Sequence, residues 1–231
     1  APRANLYVGR MTTSTEEDAV GTLDLSGASQ FNAYLEKLEI GHRTVAGDPD
    51  EQGMAQGIVT LAQSNVIDAR SVLISESRMW GTIPQSELHL GASNTIKTDE
   101  MVVAGFRGQA VVDFAAAGGE LNLTGSTGTE ATLRVGYGHS GTGTPTDGVM
   151  NLSGGTFNAT LDELIVAYRV ARSQYDVVTT AELSFDDGEV RANTLVVGEG
   201  AVAGDGTQGQ GKGTLTVGGG SLTVDGNARF G

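Results

Sequence analysis

The feature that most constrains this chain is a four-residue pattern, apolar–variable–apolar–small, that returns at a nearly constant step. It occurs as Leu6-Tyr7-Val8-Gly9, Leu38-Glu39-Ile40-Gly41, Val72-Leu73-Ile74-Ser75 and Met101-Val102-Val103-Ala104. It continues as Leu133-Arg134-Val135-Gly136, Leu164-Ile165-Val166-Ala167, Leu195-Val196-Val197-Gly198 and Ala228-Arg229-Phe230-Gly231. The second apolar residues are 32, 34, 29, 32, 31, 31 and 33 positions apart. Self-similarity at such a step marks a repeat architecture, in which each unit is too small to bury its apolar face and relies on its neighbours.

A second pattern precedes the first in each unit. Leu23/Leu25, Val59/Leu61, Leu88/Leu90, Leu121/Leu123, Met150/Leu152, Leu183/Phe185 and Leu215/Val217 each flank one residue. The flanked residues are Asp24, Thr60, His89, Asn122, Asn151, Ser184 and Thr216. Side chains on a strand alternate between faces, so the apolar pair points inward and the polar residue outward. Between the two patterns lies a weaker element anchored by Phe31, Val66 or Ile67, Ile96, Phe157, Val190 and Leu222, and degenerate around Thr129. Ser26-Gly27, Ser153-Gly154-Gly155, Asp186-Asp187-Gly188 and Gly218-Gly219-Gly220 supply tight corners. Each unit therefore reads strand, corner, strand, bend, strand, loop.

The predicted fold is all-β: a parallel β-solenoid (β-helix) of about seven coils, each of roughly 32 residues with three short strands. The chirality of parallel crossovers predicts a right-handed coil. Residues 1–231 read as a single solenoid domain, with variable loops along one edge. The loops are expected at 42–56, 76–86, 105–119, 137–147, 168–181 and 199–212. Val111-Val112-Asp113-Phe114 within them reads as an extra strand or inserted hairpin, and residues 168–180 as partly ordered. A β-sandwich would not repeat register-matched residues at a fixed step. Leucine-rich repeats have shorter periods and an Asn/Cys column that the sequence does not display.

Composition narrows the functions. The net charge of −14 argues against a nucleic-acid partner, which calls for a basic footprint, and against an anionic membrane surface. No stretch of 18 apolar residues is present to insert into a membrane. There is no cysteine, hence no disulfide or thiolate metal site. The first residues, Ala-Pro-Arg-Ala-Asn, carry neither Met nor an apolar signal core, as in a processed chain or an excised fragment.

Two stretches, Gly-Val-Met-Asn-Leu-Ser-Gly-Gly-Thr-Phe-Asn-Ala at 148–159 and Gly-Thr-Leu-Thr-Val-Gly-Gly-Gly-Ser-Leu-Thr-Val at 213–224, resemble known repeats. They are similar to autotransporter-passenger-associated and PEP-CTERM-associated β-helix repeats. The Leu-x-Val-Gly ends at 133–136 and 195–198 fit the same pattern. The resemblance runs from about residue 4 to residue 231. It implies a secreted or surface-displayed bacterial β-solenoid: a stalk, an adhesin or a matrix protein. The loops here are longer than in the tightest such repeats, and no C-terminal membrane barrel or sorting tail is present.

Residues able to carry chemistry are scattered. His42, His89 and His139 fall in different coils without metal-ligand spacing. Calcium takes roughly six to eight oxygens, and the acid-rich loops are the candidates for it: Glu16-Glu17-Asp18, Asp48, Asp50 and Glu51, and Asp186 with Asp187. The calcium-binding nonapeptide is absent, and Ala203–Thr207 holds only a fragment of it. Arg10, Arg43, Arg107 and Arg169 follow the small residue, where they would stack along one edge, paired with loop carboxylates or touching acidic glycans. Tyr137, Tyr168, Phe106 and Trp80 share that edge and would stack on sugars or pack under loops. Glycoside hydrolysis needs two positioned carboxylates, and no acidic set recurs on one strand face in neighbouring coils. Ice binding needs a regular threonine array, whereas the outward column is irregular and Thr142, Thr144 and Thr146 lie in a Gly/Pro loop.

Both ends of the chain fall on the same third strand, without a cap. A bare end exposes unpaired strand edges, so either the natural chain continues or copies stack end to end. The sequence thus points to a non-enzymatic structural protein outside the cell or on its surface, with self-association and surface glycans as partners and no cofactor beyond calcium to consider. The alternative is a carbohydrate-binding or polysaccharide-cleaving β-helix.

Overall fold

A computed structural model describes residues 2–13, 16–45, 53–78, 83–139, 145–170, 177–202 and 209–231. Its first eight strands are β1 (Ala4–Val8), β2 (Ala19–Asp24), β3 (Gln30–Arg43), β4 (Ala55–Thr60), β5 (Ser64–Ser77), β6 (Gln85–Leu90), β7 (Ser93–Lys97) and β8 (Glu100–Phe106). The remainder are β9 (Gln109–Phe114), β10 (Glu120–Thr124), β11 (Ala131–His139), β12 (Thr146–Val170), β13 (Val178–Asp187), β14 (Glu189–Gly200), β15 (Gln210–Val217) and β16 (Ser221–Phe230).

Among the described residues every strand pairing is parallel, and each strand meets its counterpart one coil away. The chain is therefore a β-solenoid with three ladders. The first face is β2, β4, β6, β9, the start of β12, β13 and β15. The second is the start of β3 and β5, then β7, β10, the middle of β12, and the starts of β14 and β16. The third is β1, the ends of β3 and β5, β8, β11, and the ends of β12, β14 and β16. β12 is long because it runs through two corners, where its register shifts, and contributes to all three faces of one coil.

The repeat read from the sequence is the register of the third face. Val8, Ile40, Ile74, Val103, Val135, Val166, Val197 and Phe230 pair in succession. On the first face Leu23, Val59, Leu88, Val112, Met150, Leu183 and Leu215 do the same. These columns merge into one aliphatic core along the axis. Phe157 and Phe185, edge to face at 5.7 Å, are its largest apolar members.

One coil differs from expectation. Leu121 and Leu123 lie on the second face, where Leu121 pairs with Asn94 and Phe157, and Leu123 with Ile96 and Ala159. The first-face strand of that coil is β9, the segment read as an extra strand or hairpin, and Asp113 takes the outward place expected of Asn122. The physical reason is a relocated loop. β8 and β9 are separated by only two residues, while the insertion sits at 125–130 between the second and third faces. Residues 105–119 are therefore mostly strand. On the second face the inward anchor is Ile67, fully buried, while Val66 is 41% exposed.

The small residue also has a different role. The loops expected directly after it begin later, because pairing continues beyond it, as in Tyr137 with Tyr168 and His139 with Val170. Gly9, Gly41, Ser75, Ala104, Gly136, Ala167 and Gly198 all have φ between 57° and 75°. This left-handed residue bends the strand, and the strand carries on. A second small column, Gly21, Gly57, Ser86, Ala110, Gly148, Ala181 and Gly213, lies at the start of the first face. A Cβ on Gly57 would stand 2.6 Å from the Gly41 nitrogen, and one on Gly148 2.7 Å from that of Gly136. Smallness is thus required by backbone meeting backbone across the core.

An asparagine ladder, absent from the expectation, closes the corner after the first face in two coils. Asn65 and Asn94 are buried; Asn65 Nδ2 donates to Asn94 Oδ1 at 2.8 Å and to the Ala62 carbonyl at 2.8 Å. Asn94 Nδ2 donates to the carbonyls of Gly91 and Glu120, and Asn94 Oδ1 accepts from Gly91 N. Each amide supplies the partners that buried corner backbone would otherwise lack.

Candidate functional site

The outer surface of the third face is a shallow trough. Ile165 and Val196 alternate with core residues and stand outside the core cluster, yet they are 4% and 0% exposed. The left-handed bend explains this, because it folds the following residues over the outward column. A Cβ on Gly105 would meet Glu76 Oε2 at 3.1 Å, Val102 Cγ1 at 3.3 Å and Leu73 Cδ1 at 3.7 Å. Floor and wall therefore touch there.

Charge runs along this trough. At its N-terminal end Glu39, only 3% exposed, is held by Arg10 Nε at 2.9 Å, His42 Nδ1 at 2.9 Å and Lys37 Nζ at 3.6 Å. His42 Nε2 stands 3.8 Å from Glu76 Oε1 on the next coil. Farther along, Arg134 joins Glu100 of the preceding coil to Glu163 of the following one, and Arg229 pairs with Glu199 at 2.8 Å. Tyr137 and Tyr168 stack at 5.4 Å, nearly parallel, with Arg134 over the Tyr137 ring.

Two enclosed carboxyls on this trough are driven apart. Burial works against the Glu39 carboxylate, but the His42 hydrogen bond and the charges of His42, Arg10 and Lys37 outweigh it and hold its pKa below the ordinary glutamate value. Burial beside Leu73 and Val102 raises the Glu76 pKa; His42 and Arg78 oppose the rise, and Glu39 and Glu100 reinforce it. Carboxyls displaced in opposite directions can divide acid and base roles. No acidic set recurs on one strand face in neighbouring coils; Glu39 and Glu76 nonetheless approach the two nitrogens of one imidazole, His42. The approach is invisible in the repeat because Glu39 lies between the members of the apolar pair and Glu76 after the bend.

The other candidates are placed as follows. Asp48, Asp50, Glu51, Trp80, Thr142, Thr144, Tyr175 and residues 203–207 lie outside the described residues. Asp186 Oδ2 accepts from Gly154 N at 2.7 Å, and Asp187 Oδ1 from Gly188 N at 2.8 Å, so both serve as corner caps. Asp18 likewise accepts from Met54 N. Among the described residues no group of three or more His, Cys, Asp or Glu side chains is arranged to hold a metal ion. His89 faces outward on the first face, between Asp113 Oδ1 at 2.6 Å and Glu87 Oε2 at 2.9 Å. Burial lowers its pKa, but the bonds to Asp113 and Glu87 outweigh that and raise it. Thr146 is buried and donates to the Phe106 carbonyl.

The arginines do not form an outer stack. Of those four arginines Arg10 alone lies on the trough; Arg43, Arg107 and Arg169 turn inward and are 0%, 6% and 4% exposed. Each follows the bend by two or three residues, and the period-two alternation after the bend aims Arg43 and Arg169 at the interior. Phe106 lies against His139 at 4.8 Å with Arg78 over its ring, apart from the tyrosine stack.

Compared with known family models, curated proteins and solved structures, the chain finds no match.

Proposed function

We propose that this chain is a non-enzymatic structural β-solenoid that works outside the cell or on its surface, as a rigid stalk, adhesin passenger, or building block of a filament, sheath or matrix. The observation that carries the reading is the coil-after-coil parallel pairing of three ladders over one continuous aliphatic core. Bending such a rod strains all three ladders at once, so stiffness follows from the architecture. Eight rungs at about 4.8 Å per rung give a length of about 34 Å. At each end of the ladders the last strand has one neighbour, and Phe230 on the final rung is 72% exposed. Further coils, from the same chain or from a second copy, fit these edges. The resemblance of residues 148–159 and 213–224 to bacterial passenger and matrix repeats suits the same reading. Electron microscopy of the purified protein tests it: rods of uniform width that lengthen into filaments at high concentration are expected. Flexible or globular particles at every concentration would sink it.

A glycan-binding or glycan-cleaving reading is favoured by one observation, the trough that combines the Tyr137–Tyr168 stack with the opposed Glu39 and Glu76 carboxyls. Stacked phenol rings suit sugar faces, and divided carboxyls suit acid–base work. Saturable binding of soluble polysaccharides that is lost in Tyr137→Ala, or depolymerisation lost in Glu76→Gln, would put this reading ahead of the structural one. No binding across a polysaccharide panel would remove it.

A further inference from the structure

The described strands carry three Asn-x-Ser/Thr motifs. They are Asn122-Leu123-Thr124 on β10, and Asn151-Leu152-Ser153 and Asn158-Ala159-Thr160 on β12. This is the acceptor pattern for sugar attachment at an asparagine amide, and it acts only where that amide is open to solvent. A strand places residues two apart on the same side, so in each motif the amide and the hydroxyl stand together. The fold then treats the three motifs differently.

Asn122 and Asn158 are half-buried neighbours on the second face, and both commit their amides to that face. Asn158 Nδ2 donates to Asn122 Oδ1 at 3.0 Å, and Asn122 Nδ2 donates to Glu120 Oε1 at 2.9 Å. Asn158 Oδ1 accepts from Glu189 N at 3.1 Å. Each nitrogen is thus turned along the face toward a neighbouring side chain.

Asn151 differs in every one of these respects. It is exposed on the first face, just before the Ser153-Gly154-Gly155 corner, where the register of β12 shifts. Its Oδ1 accepts from Ser153 N at 3.1 Å and from Ser184 Oγ at 3.0 Å. These two bonds fix the carboxamide by its oxygen and leave the nitrogen on the free side. Nδ2 has no hydrogen-bond partner among the described residues. Ser153 is exposed as well, with its hydroxyl 3.2 Å from Ser184 Oγ. The corner itself is open: a Cβ on Gly154 would meet nothing nearer than Ala117 Cβ at 3.9 Å.

We propose that Asn151 is the attachment site of an N-linked glycan, with Ser153 as the hydroxyl that the transferase reads. In the transfer, Nδ2 bonds to the anomeric carbon of a sugar carried on a lipid diphosphate. The anomeric C–O bond breaks, its electron pair leaves with the diphosphate, and one amide proton passes to a base of the transferase. The sugar projects from the outer side of the first face, so the core and the three ladders stay as they are. The site rests on the extracellular reading, because such transferases act on chains exported across a membrane.

The test incubates the folded full chain with an oligosaccharyltransferase that reads the bare Asn-x-Ser/Thr motif and with a labelled lipid-linked oligosaccharide. Mass spectrometry of the peptides should find one glycan per chain, on Asn151. Asn151→Asp keeps the oxygen that accepts from Ser153 N, and should fold like the parent and take no label. Ser153→Ala should lose the label and Ser153→Thr should keep it. The filaments expected of the structural reading do not enter this assay, so the two can fail separately. A folded chain that takes no label, or takes it on Asn122 or Asn158 in place of Asn151, would overturn the site. So would a bare Asn151 in the chain recovered from the surface of the cells that display it.

Discussion

Replacing Gly41 by alanine tests the idea that the small residue of each repeat is fixed by two constraints at once. Gly41 has φ of 63°, and a Cβ there would stand 1.8 Å from Ser86 Oγ and 2.8 Å from Ser86 Cβ. The conformational part costs about 1–2 kcal/mol for a residue with a Cβ. Ala104 at 63° and Ala167 at 61° already tolerate the same strain. The steric part adds about 1–3 kcal/mol, because Ser86 is held in a close-packed wall. Gly41→Ala should therefore destabilise the fold by about 2–5 kcal/mol. Ser86→Gly alone removes the hydroxyl that accepts from Gly57 N and should cost about 1 kcal/mol. In the double variant the collision disappears, leaving a coupling energy of about 1–3 kcal/mol. Chemical denaturation of the four proteins, followed by circular dichroism, measures it. Strictly additive losses would refute the account, since they would mean that Ser86 does not confine residue 41.

Three further outcomes are expected. Val135 is fully buried between Val103 and Val166 in the ladder, so Val135→Asp should cost more than about 4 kcal/mol and abolish cooperative melting, which differential scanning calorimetry reads. Asn94→Leu takes away the side-chain partner of Gly91 N and of the Glu120 carbonyl and one of the two acceptors of Asn65 Nδ2, and should lower stability by about 2–3 kcal/mol in denaturant titration. The folded pKa of His89 is raised, so its clamp contributes stability that is fully present below the unfolded value of about 6.5 and is lost as pH rises through the folded value. His89→Gln should flatten that part of a Tm-against-pH profile; an unchanged profile would show that the Asp113 and Glu87 contacts do not act on folding.

Much of the fold was legible because each coil repeats the same physical problem. Apolar pairs at a constant step can be buried only by stacking, and the eight-fold pattern proved to be a single register. The coil containing β9 and β10 was misread because Ala110-Val111-Val112-Asp113-Phe114 and Leu121-Asn122-Leu123 alternate equally well, and alternation says which face of a strand is inward but not which ladder it joins. The ladder depends on where the loop lies, and here it moved from one corner to another. The asparagine pair was visible only as Leu61-Ala62-Gln63-Ser64-Asn65 and Leu90-Gly91-Ala92-Ser93-Asn94, a match in two coils alone. The trough was illegible for another reason: Glu39, Glu76 and Arg134 belong to different offsets in different repeats, and only the left-handed bend brings those offsets to one surface.

The sequence by itself determined that the chain must coil, how long each coil is, and which residues face the core, because burial of alternating aliphatic side chains is a local, periodic demand. The tertiary structure alone decided what lies across the axis. Bends facing small residues from another ladder, three arginines turned inward, and carboxyls from successive coils driven apart in pKa all depend on distances between segments about thirty residues apart. Those distances follow from closing the coil, which no single repeat encodes.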